Sequence, residues 1–384
     1  MSDEDKVKRY TVSWFDEFEC LCGDCPESCC RGWVIPLSDR DFERFRKEKG
    51  MLGYALFAAT GGGLREKFNP SSRSCPFWRR DGLCSLQRKR GHDFIPWTCQ
   101  SYPRFYRNFG DIEECCLDLS CIGATRLFMA HGGTTDTVVT ESEPVTKPCT
   151  TNDDKDYLDF LLAQRKDMIE TVQKGFSGAL CDALFDYAAF LQDEIVAKNN
   201  NDYKKLSFTH FYGDLCVDKD EDDDNRTKTP CTFPLAPRVL SGFLATSLWH
   251  QKLRRVSPKL YRMLSRADRA LRRFEKYPSS WQAAVSATLG EDPYIETLLG
   301  QYLGYYLFQY FMRVYETYSF RKQIALGLCH VNMILLLAVT FADRKDHPLT
   351  GDDLALIISV YNRRAYFNDS ITDEMYRVFE DAMR

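Results

Sequence analysis

The stretch Cys20-Leu-Cys-Gly-Asp-Cys-Pro-Glu-Ser-Cys-Cys30 places five cysteines within eleven residues. Eleven of the chain's 16 cysteines lie in the first third of its 384 residues, and the other five are scattered singly. Thiols at this density need a chemical reason to lie together, so we expect them to organise the N-terminal part of the fold. After Cys30 the cluster continues with Cys75, Cys84, Cys99, Cys115, Cys116 and Cys121.

The sequence of the N-terminus predicts whether these thiols are in a reducing or an oxidising compartment. The first ten residues contain no apolar segment of the kind found in secretory signals, which predicts a cytoplasmic protein. In a reducing compartment, dense cysteines more often bind metal or take part in catalysis than form disulfides. Structural disulfides and unligated thiols are the less favoured alternatives. The net charge of -4 does not bear on nucleic-acid or membrane binding, which would require a local patch.

Thiolates are soft ligands, so a cysteine-only set selects zinc or an iron–sulfur cluster over magnesium or calcium. A structural zinc site often uses two Cys-x2-Cys pairs, and only Cys22 and Cys25 have that spacing here. An iron–sulfur cluster tolerates irregular spacing better, because each iron accepts one thiolate from a different loop. A radical-type Cys-x3-Cys-x2-Cys motif is not completed, since Gly32 follows Cys25 and Cys29 where the third cysteine is needed. Spacing therefore leaves both metals open and favours the cluster slightly.

A change in composition divides the chain. Residues 131–153 are rich in Gly, Thr, Ser, Pro and Glu and poor in apolar side chains, which predicts a linker or a long surface loop. Beyond it, apolar residues from Leu158 to Val172 recur at helical spacing before Gly175. We therefore predict a mainly α protein: a cysteine-rich, irregular metal-binding module with few short strands at 1–130, and an all-helical domain at 154–384.

The predicted helices of the C-terminal part include three of special character. The helix at 258–276 has a basic face, which is usually solvated and otherwise docks an acidic partner. The helix at 293–318 holds nine aromatic residues, which indicates core packing or, for its tyrosines, hydroxyls that line a cavity. Ile324–Ala342 has no formal charge over nineteen residues, but its helical flanks favour a buried helix over a membrane span. The remaining helices are predicted at 178–198, 238–256, 279–290, 320–342, 351–365 and 371–383.

The order of these motifs resembles the flagellin lysine-N-methylase family, and the first half is also similar to cysteine-cluster proteins described as zinc- or iron-chelating. The resemblance is carried over about a hundred residues by Cys20-x4-Cys25-x3-Cys29-Cys30-x2-Trp33-x-Ile35, Cys75-Pro76-Phe77, Asp81-Gly82-Leu83-Cys84, Cys99-x2-Tyr102-Pro103-Arg104 and Ser120-Cys121. The C-terminal half resembles the family more loosely, through the aromatic helix Tyr294 to Tyr318 and Tyr361-Asn362-Arg363-Arg364.

The resemblance implies methylation of surface lysines on flagellin, with S-adenosylmethionine as methyl donor and a 4Fe-4S cluster in the enzyme. Zinc is the alternative metal. Cys22, Cys115 and Cys116 depart from the family pattern. The matching cysteines, and hence the candidate ligands, are Cys20, Cys25, Cys29, Cys30, Cys75, Cys84, Cys99 and Cys121.

Methylation of an amine requires the neutral amine in line with the methyl group, so aromatic walls and a nearby base are expected. Tyr302, Tyr305 and Tyr306 are the candidates for such a site. No glycine-rich loop of the usual methyltransferase kind follows a strand, so the donor site is not assigned. We predict a flagellin-lysine methyltransferase without membrane association. The alternative is a non-catalytic zinc- or iron-binding module or assembly factor that docks a protein partner; nucleic-acid binding is the third and weakest hypothesis.

Overall fold

The computed structural model describes residues 6–31, 34–63, 67–68, 74–198, 201–217, 232–245, 254, 257–291, 293–343, 348–365 and 369–384. Trp33, which belongs to the family-like pattern, and part of the helix predicted at 238–256 lie outside these ranges. Most described residues are helical, so the mainly α prediction is confirmed. In the N-terminal part the helices are α1 Asp39–Lys47, α2 Gly50–Ala59, α3 Ser85–Arg90, α4 Trp97–Ser101 and α5 Ile122–Ala130.

In the C-terminal part, the described residues form helices and the loops between them, without a strand. The helices are α6 Lys155–Lys174, α7 Gly178–Leu191, α8 Phe208–Val217, α9 Pro237–Ala245, α10 Pro258–Lys276, α11 Pro278–Glu291, α12 Pro293–Tyr310, α13 Val314–Thr317, α14 Phe320–Ala342, α15 Gly351–Ala365 and α16 Asp369–Ala382. The prediction of one aromatic helix over 293–318 is correct up to Tyr310 and wrong for residues 311–318. The helix ends at Tyr310 and is followed by a 3-10 turn, the short α13 and a left-handed residue, Tyr318.

The N-terminal part contains a four-stranded sheet and a two-stranded one. The larger sheet has the order β4–β5–β1–β6, in which β1 and β5 are parallel and the outer pairs are antiparallel. All six residues of β5 are buried, because it lies between β4 and β1 and contacts α6 and α12. The strands are β1 Val7–Val12, β2 Ile35–Pro36, β3 Lys67–Phe68, β4 Arg104–Asn108, β5 Ile112–Leu117 and β6 Thr137–Ser142.

The predicted linker at 131–153 takes part in this sheet. Its residues Thr137–Ser142 form β6 and pair with β1 along the whole length of both strands. Val138 and Val139 are half exposed, so β6 is a solvated edge strand. Its sequence lacks the alternation of apolar and polar residues by which a strand is usually predicted. Part of the predicted linker therefore forms one edge of the four-stranded sheet.

The protein has two hydrophobic cores, and their boundary does not coincide with the change in composition at 131–153. The larger core joins Trp14 and Leu117 of the N-terminal part to the apolar faces of the C-terminal helices. Gly300 in α12 allows close approach to α6, since a Cβ atom there would lie 2.9 Å from the carbonyl oxygen of Val172. The smaller core lies beneath the cysteine loops and contains Ile35, Leu37, Phe45, Leu56, Ala59, Phe68, Phe77, Leu86 and Ile95.

Helix α14 is buried in the larger core, as predicted. By length and composition it is the one described helix that could cross a membrane, and 94% of its most apolar window is buried inside the protein. Its polar side chains have internal partners: His330 Nδ1 lies 2.7 Å from the Tyr361 hydroxyl, and Asn332 accepts a hydrogen bond from the Leu235 amide at 2.7 Å. Burial lowers the pKa of His330 to about 3, so its imidazole is neutral at physiological pH.

A buried ion pair joins the sheet to the helices. Arg165 of α6 donates to Glu114 of β5 at 2.9 Å and to the carbonyl oxygen of Phe308 in α12, also at 2.9 Å. Both charged side chains are less than a tenth exposed. Because neither charge can be left alone in the core, this pair fixes how the sheet and the two helices lie together.

Replacing Arg165 with methionine is expected to lower the free energy of unfolding by about 3–5 kcal/mol, because Glu114 is left buried without a counter-charge. Urea unfolding measures the change. The matched control is Lys166→Met, which removes an exposed i,i+4 pair with Glu170 and should cost about 0.5 kcal/mol or less. Equal losses in the two variants would contradict a special role for the buried pair.

Candidate functional site

One cavity collects the cysteines of the N-terminal part. This cysteine cavity has a volume of about 230 Å³, and all eight predicted ligand residues lie on its wall. Cys22, which the family pattern sets apart, lies there too, whereas Cys115 and Cys116 are buried on β5 and do not line it. Its cysteines are Cys20, Cys22, Cys25, Cys29, Cys30, Cys75, Cys84, Cys99 and Cys121.

The cysteines reach the cavity from short helices and turns. Cys84 and Cys121 precede the first turns of α3 and α5, and Cys99 lies within α4. The first cysteine loop is tied to the second by a hydrogen bond from the Cys75 amide to the Cys30 carbonyl oxygen, 2.7 Å long. These backbone contacts bring residues distant in sequence to one wall.

A turn at Asp81-Gly82 supports the same wall. Asp81 accepts a hydrogen bond from the Leu83 amide at 3.2 Å, and Gly82 has a φ of 78°, a left-handed conformation that glycine adopts without strain. A Cβ atom on Gly82 would lie 2.9 Å from the carbonyl oxygen of Gly23. Glycine at this position therefore lets the turn pack directly on the first cysteine loop.

Several buried thiols of the cavity have pKa values above the ordinary value for cysteine. Burial raises the pKa of Cys75 to about 11 and that of Cys121 to about 12. The pKa of Cys29 is raised, first by its hydrogen bond with Cys30 and then by burial. A cation in the cavity would reverse these shifts, since thiolates bind metal and release their protons.

The donor set fits a thiolate-bound metal. The cysteines that line the cavity are free thiols, and their soft sulfur atoms suit zinc or an iron–sulfur cluster. Within the part of the chain that the structure describes, however, no group of three or more His, Cys, Asp or Glu side chains is arranged to hold a metal ion. The gathering of the cysteines is therefore observed, and the metal stays a prediction.

Arg363 of α15 closes the cavity from the C-terminal side. Its guanidinium donates to the carbonyl oxygens of Glu27 at 2.9 Å, Ser28 at 3.3 Å and Ser120 at 2.9 Å. The side chain is only 11% exposed, and it lines the cysteine cavity itself. One cation thus holds the first cysteine loop beside the residue that precedes Cys121.

Sequence reasoning missed this role of Arg363. The segment Tyr361-Asn362-Arg363-Arg364 was noticeable only as part of the family resemblance, and its contacts span more than 240 positions. A run of two arginines that ends a predicted helix otherwise indicates only a favourable charge near the helix C-terminus. The apolar face of α15, which packs on α5, is the sequence signal that turns the arginine toward the cysteines.

The three candidate tyrosines lie in the larger core. The Tyr302 hydroxyl donates to Asn362 Oδ1 at 2.8 Å, and the Tyr305 hydroxyl donates to the Leu117 carbonyl oxygen at 2.7 Å. The ring of Tyr306 lies 5.4 Å from that of His330. None of the three is among the described residues that line the cysteine cavity. This placement agrees with core packing, and their catalytic role stays a prediction.

Comparisons with known proteins give a family model and several curated relatives. Residues 187–383 match the family model described as the FliB lysine N-methylase C-terminal domain. The flagellar biosynthetic protein FliU of Salmonella muenchen is 26% identical over 126 residues, which cover 30% of this chain and 75% of that protein. No solved structure matches.

Two lysine-N-methylases are similar over a region of the same size. Those of Salmonella typhimurium and Salmonella choleraesuis are 26% identical over 126 residues and 27% identical over 127 residues. Each match covers 30% of this chain and 31% of the relative. The chain thus spans less than a third of the length of these two curated proteins.

Replacing Arg363 with glutamine is expected to release the first cysteine loop, because three carbonyl oxygens lose a charged donor. The free energy of unfolding should fall by about 3 kcal/mol, and titration with a coloured thiol reagent should show more fast-reacting cysteines. Arg377→Gln is the control, since Arg377 is exposed on α16 and pairs only with neighbours on that helix. Identical thiol reactivity in the two variants would contradict the assigned role.

Proposed function

The chain belongs to the FliB lysine N-methylase family, and from this premise we propose that it transfers methyl groups from S-adenosylmethionine to surface lysines of flagellin. Family membership supports a role in protein-lysine methylation. The methyl donor, the flagellin substrate and a 4Fe-4S cluster in the cysteine cavity are parts of the proposal.

The observation that carries the proposal is the meeting of the two halves of the chain at the cysteine cavity. The family match covers residues 187–383, whereas the cysteines that resemble the family lie between Cys20 and Cys121. Arg363, inside the matched region, donates to the loops that hold both ends of this cysteine set. A site built from both halves agrees with one activity of the whole chain rather than two independent modules.

Methyl transfer to lysine places clear demands on the protein. The bond from sulfur to the methyl carbon breaks as the bond from the lysine nitrogen forms; the donor leaves as a neutral thioether, and the nitrogen loses a proton to a base or to solvent. The attacking amine must be neutral, which an apolar environment favours by lowering the pKa of the ammonium group. Phe18, Leu21 and Leu83 on the wall of the cysteine cavity provide such an environment.

The cysteines and Arg363 have separate tasks under this proposal. Four of the eight thiolates would hold the cluster, which when bound supplies a cationic centre that stabilises them in the ionised form. Arg363 positions the loops at Glu27 and Ser120 before the metal arrives, because its own partners are backbone carbonyl oxygens and not thiols. Zinc would suit the same thiolate ligands, and the metal content of the purified protein distinguishes it from an iron–sulfur cluster.

Anaerobic purification tests the proposal as a whole. The expected product is a coloured protein that contains iron and sulfide in equal amounts, binds S-adenosylmethionine and methylates purified flagellin, with the modified lysines identified by mass spectrometry. Colourless protein with stoichiometric zinc and no donor binding would instead indicate a metal-binding module without catalysis.

Replacing Cys29 with alanine is expected to remove iron and methylation activity together. Cys29 lies on the wall of the cysteine cavity, and its loss deprives the cluster of a thiolate in the most densely populated loop. Cys149→Ala is the control, because Cys149 is exposed and does not line the cavity. Iron content and the rate of methyl transfer are measured on both variants. Full activity in an iron-free Cys29→Ala protein would show that the cluster is not needed for the chemistry.

A further inference from the structure

A second cavity adjoins the cysteine cavity and is strongly basic. This basic cavity has a volume of about 220 Å³ and shares Glu27, Ser28 and Arg363 with its neighbour. Five cationic side chains line it, together with the single carboxylate of Glu27: Arg31, Lys259, Arg262, Arg363 and Arg364. They come from the first cysteine loop, from α10 and from α15.

Internal partners account for only two of the five cations. Glu27 forms an ion pair with Lys259 and lies 3.9 Å from Arg363, whose other donors are taken by backbone carbonyl oxygens. Within the described residues, Arg31, Arg262 and Arg364 form no ion pair. The basic cavity therefore has an excess of positive charge that the described chain does not neutralise.

Arg364 shows this excess most clearly. Its Nε atom is buried and has no hydrogen-bond partner in the described protein. Burial lowers the pKa of its guanidinium. A buried donor without an acceptor is unfavourable, so a ligand that brings acceptor oxygens into the cavity would be stabilised there.

The beginning of α10 adds to the positive potential. Ser257 and Pro258, which line the basic cavity, are the N-cap and the first residue of this nineteen-residue helix. The Ser257 side chain makes no capping hydrogen bond. The amide groups of the first turn and the positive end of the helix dipole thus reinforce the three arginines.

We propose that the basic cavity binds a carboxylate, with Arg31, Arg262 and Arg364 as its partners. A guanidinium matches the two oxygens of a carboxylate in geometry and charge. The identity of that carboxylate rests on the proposed function. It belongs either to the amino-acid end of the methyl donor or to an acidic side chain close to the target lysine, since both must approach the adjoining cysteine cavity.

The first experiment tests the site without any reference to methylation. Thermal unfolding is followed in succinate and in chloride at matched ionic strength, for the wild type and for Arg262→Gln, whose side chain is exposed. The control is Arg272→Gln on the same helix, where Arg272 pairs with Asp268 at 2.8 Å and does not line the cavity. Succinate should raise the Tm of the wild type and of the control but not that of Arg262→Gln.

The second experiment identifies the source of the carboxylate. Calorimetry compares S-adenosylmethionine with its decarboxylated form, and steady-state kinetics with flagellin gives KM and kcat. If the donor provides the carboxylate, Arg262→Gln should bind S-adenosylmethionine roughly tenfold more weakly and no longer distinguish the two compounds. If an acidic side chain of flagellin provides it, donor affinity should stay constant while KM for flagellin rises and kcat is unchanged.

The outcomes separate this inference from the proposed function. One outcome is that succinate stabilises the protein through Arg262 while the protein neither binds the donor nor methylates flagellin. That result would support the carboxylate site and contradict the proposed methyltransferase activity. Equal behaviour of Arg262→Gln and Arg272→Gln towards succinate, donor and flagellin would overturn the carboxylate site whatever the activity of the enzyme.

Discussion

The buried guanidinium of Arg363 is the interaction on which the candidate site depends. It joins α15 to the carbonyl oxygens of Glu27, Ser28 and Ser120, and so couples the helical part to two separate cysteine segments. A buried cation of this kind is stable only while all its acceptors are in place. Because it also forms part of the wall between the cysteine cavity and the basic cavity, the two cavities depend on one side chain.

Local patterns in the sequence predicted the helices well. The bounds predicted for 258–276, 320–342 and 351–365 agree with α10, α14 and α15, because apolar spacing and caps act within a few residues. Ser38 caps α1 by accepting a hydrogen bond from the Asp41 amide at 3.1 Å. In contrast, β1 and β5 pair across about a hundred residues, and such a partner leaves no local trace in either strand.

The candidate site was predictable in its chemistry and not in its geometry. The family resemblance named eight of the nine cysteines that line the cavity, and the density of soft thiols had already indicated a metal site. The role of Arg363 and the unpaired charges of Arg31, Arg262 and Arg364 were not predictable, since they arise only when α10 and α15 fold over the first cysteine loop. In the sequence alone, basic residues at the end of a helix indicate only a solvated surface.

The topology of the sheet has a consequence for how the protein assembles. Strands β1 and β5 are parallel neighbours, and the chain leaves the sheet after Val12 and returns to it only at Arg104, where the β4–β5 pair begins. This connection holds every cavity cysteine except Cys121. Closing so long a connection costs conformational entropy before the strands gain their pairing. A metal bound by thiolates along it would divide one long loop into several short ones. Metal insertion would then speed the search that brings the two central strands together.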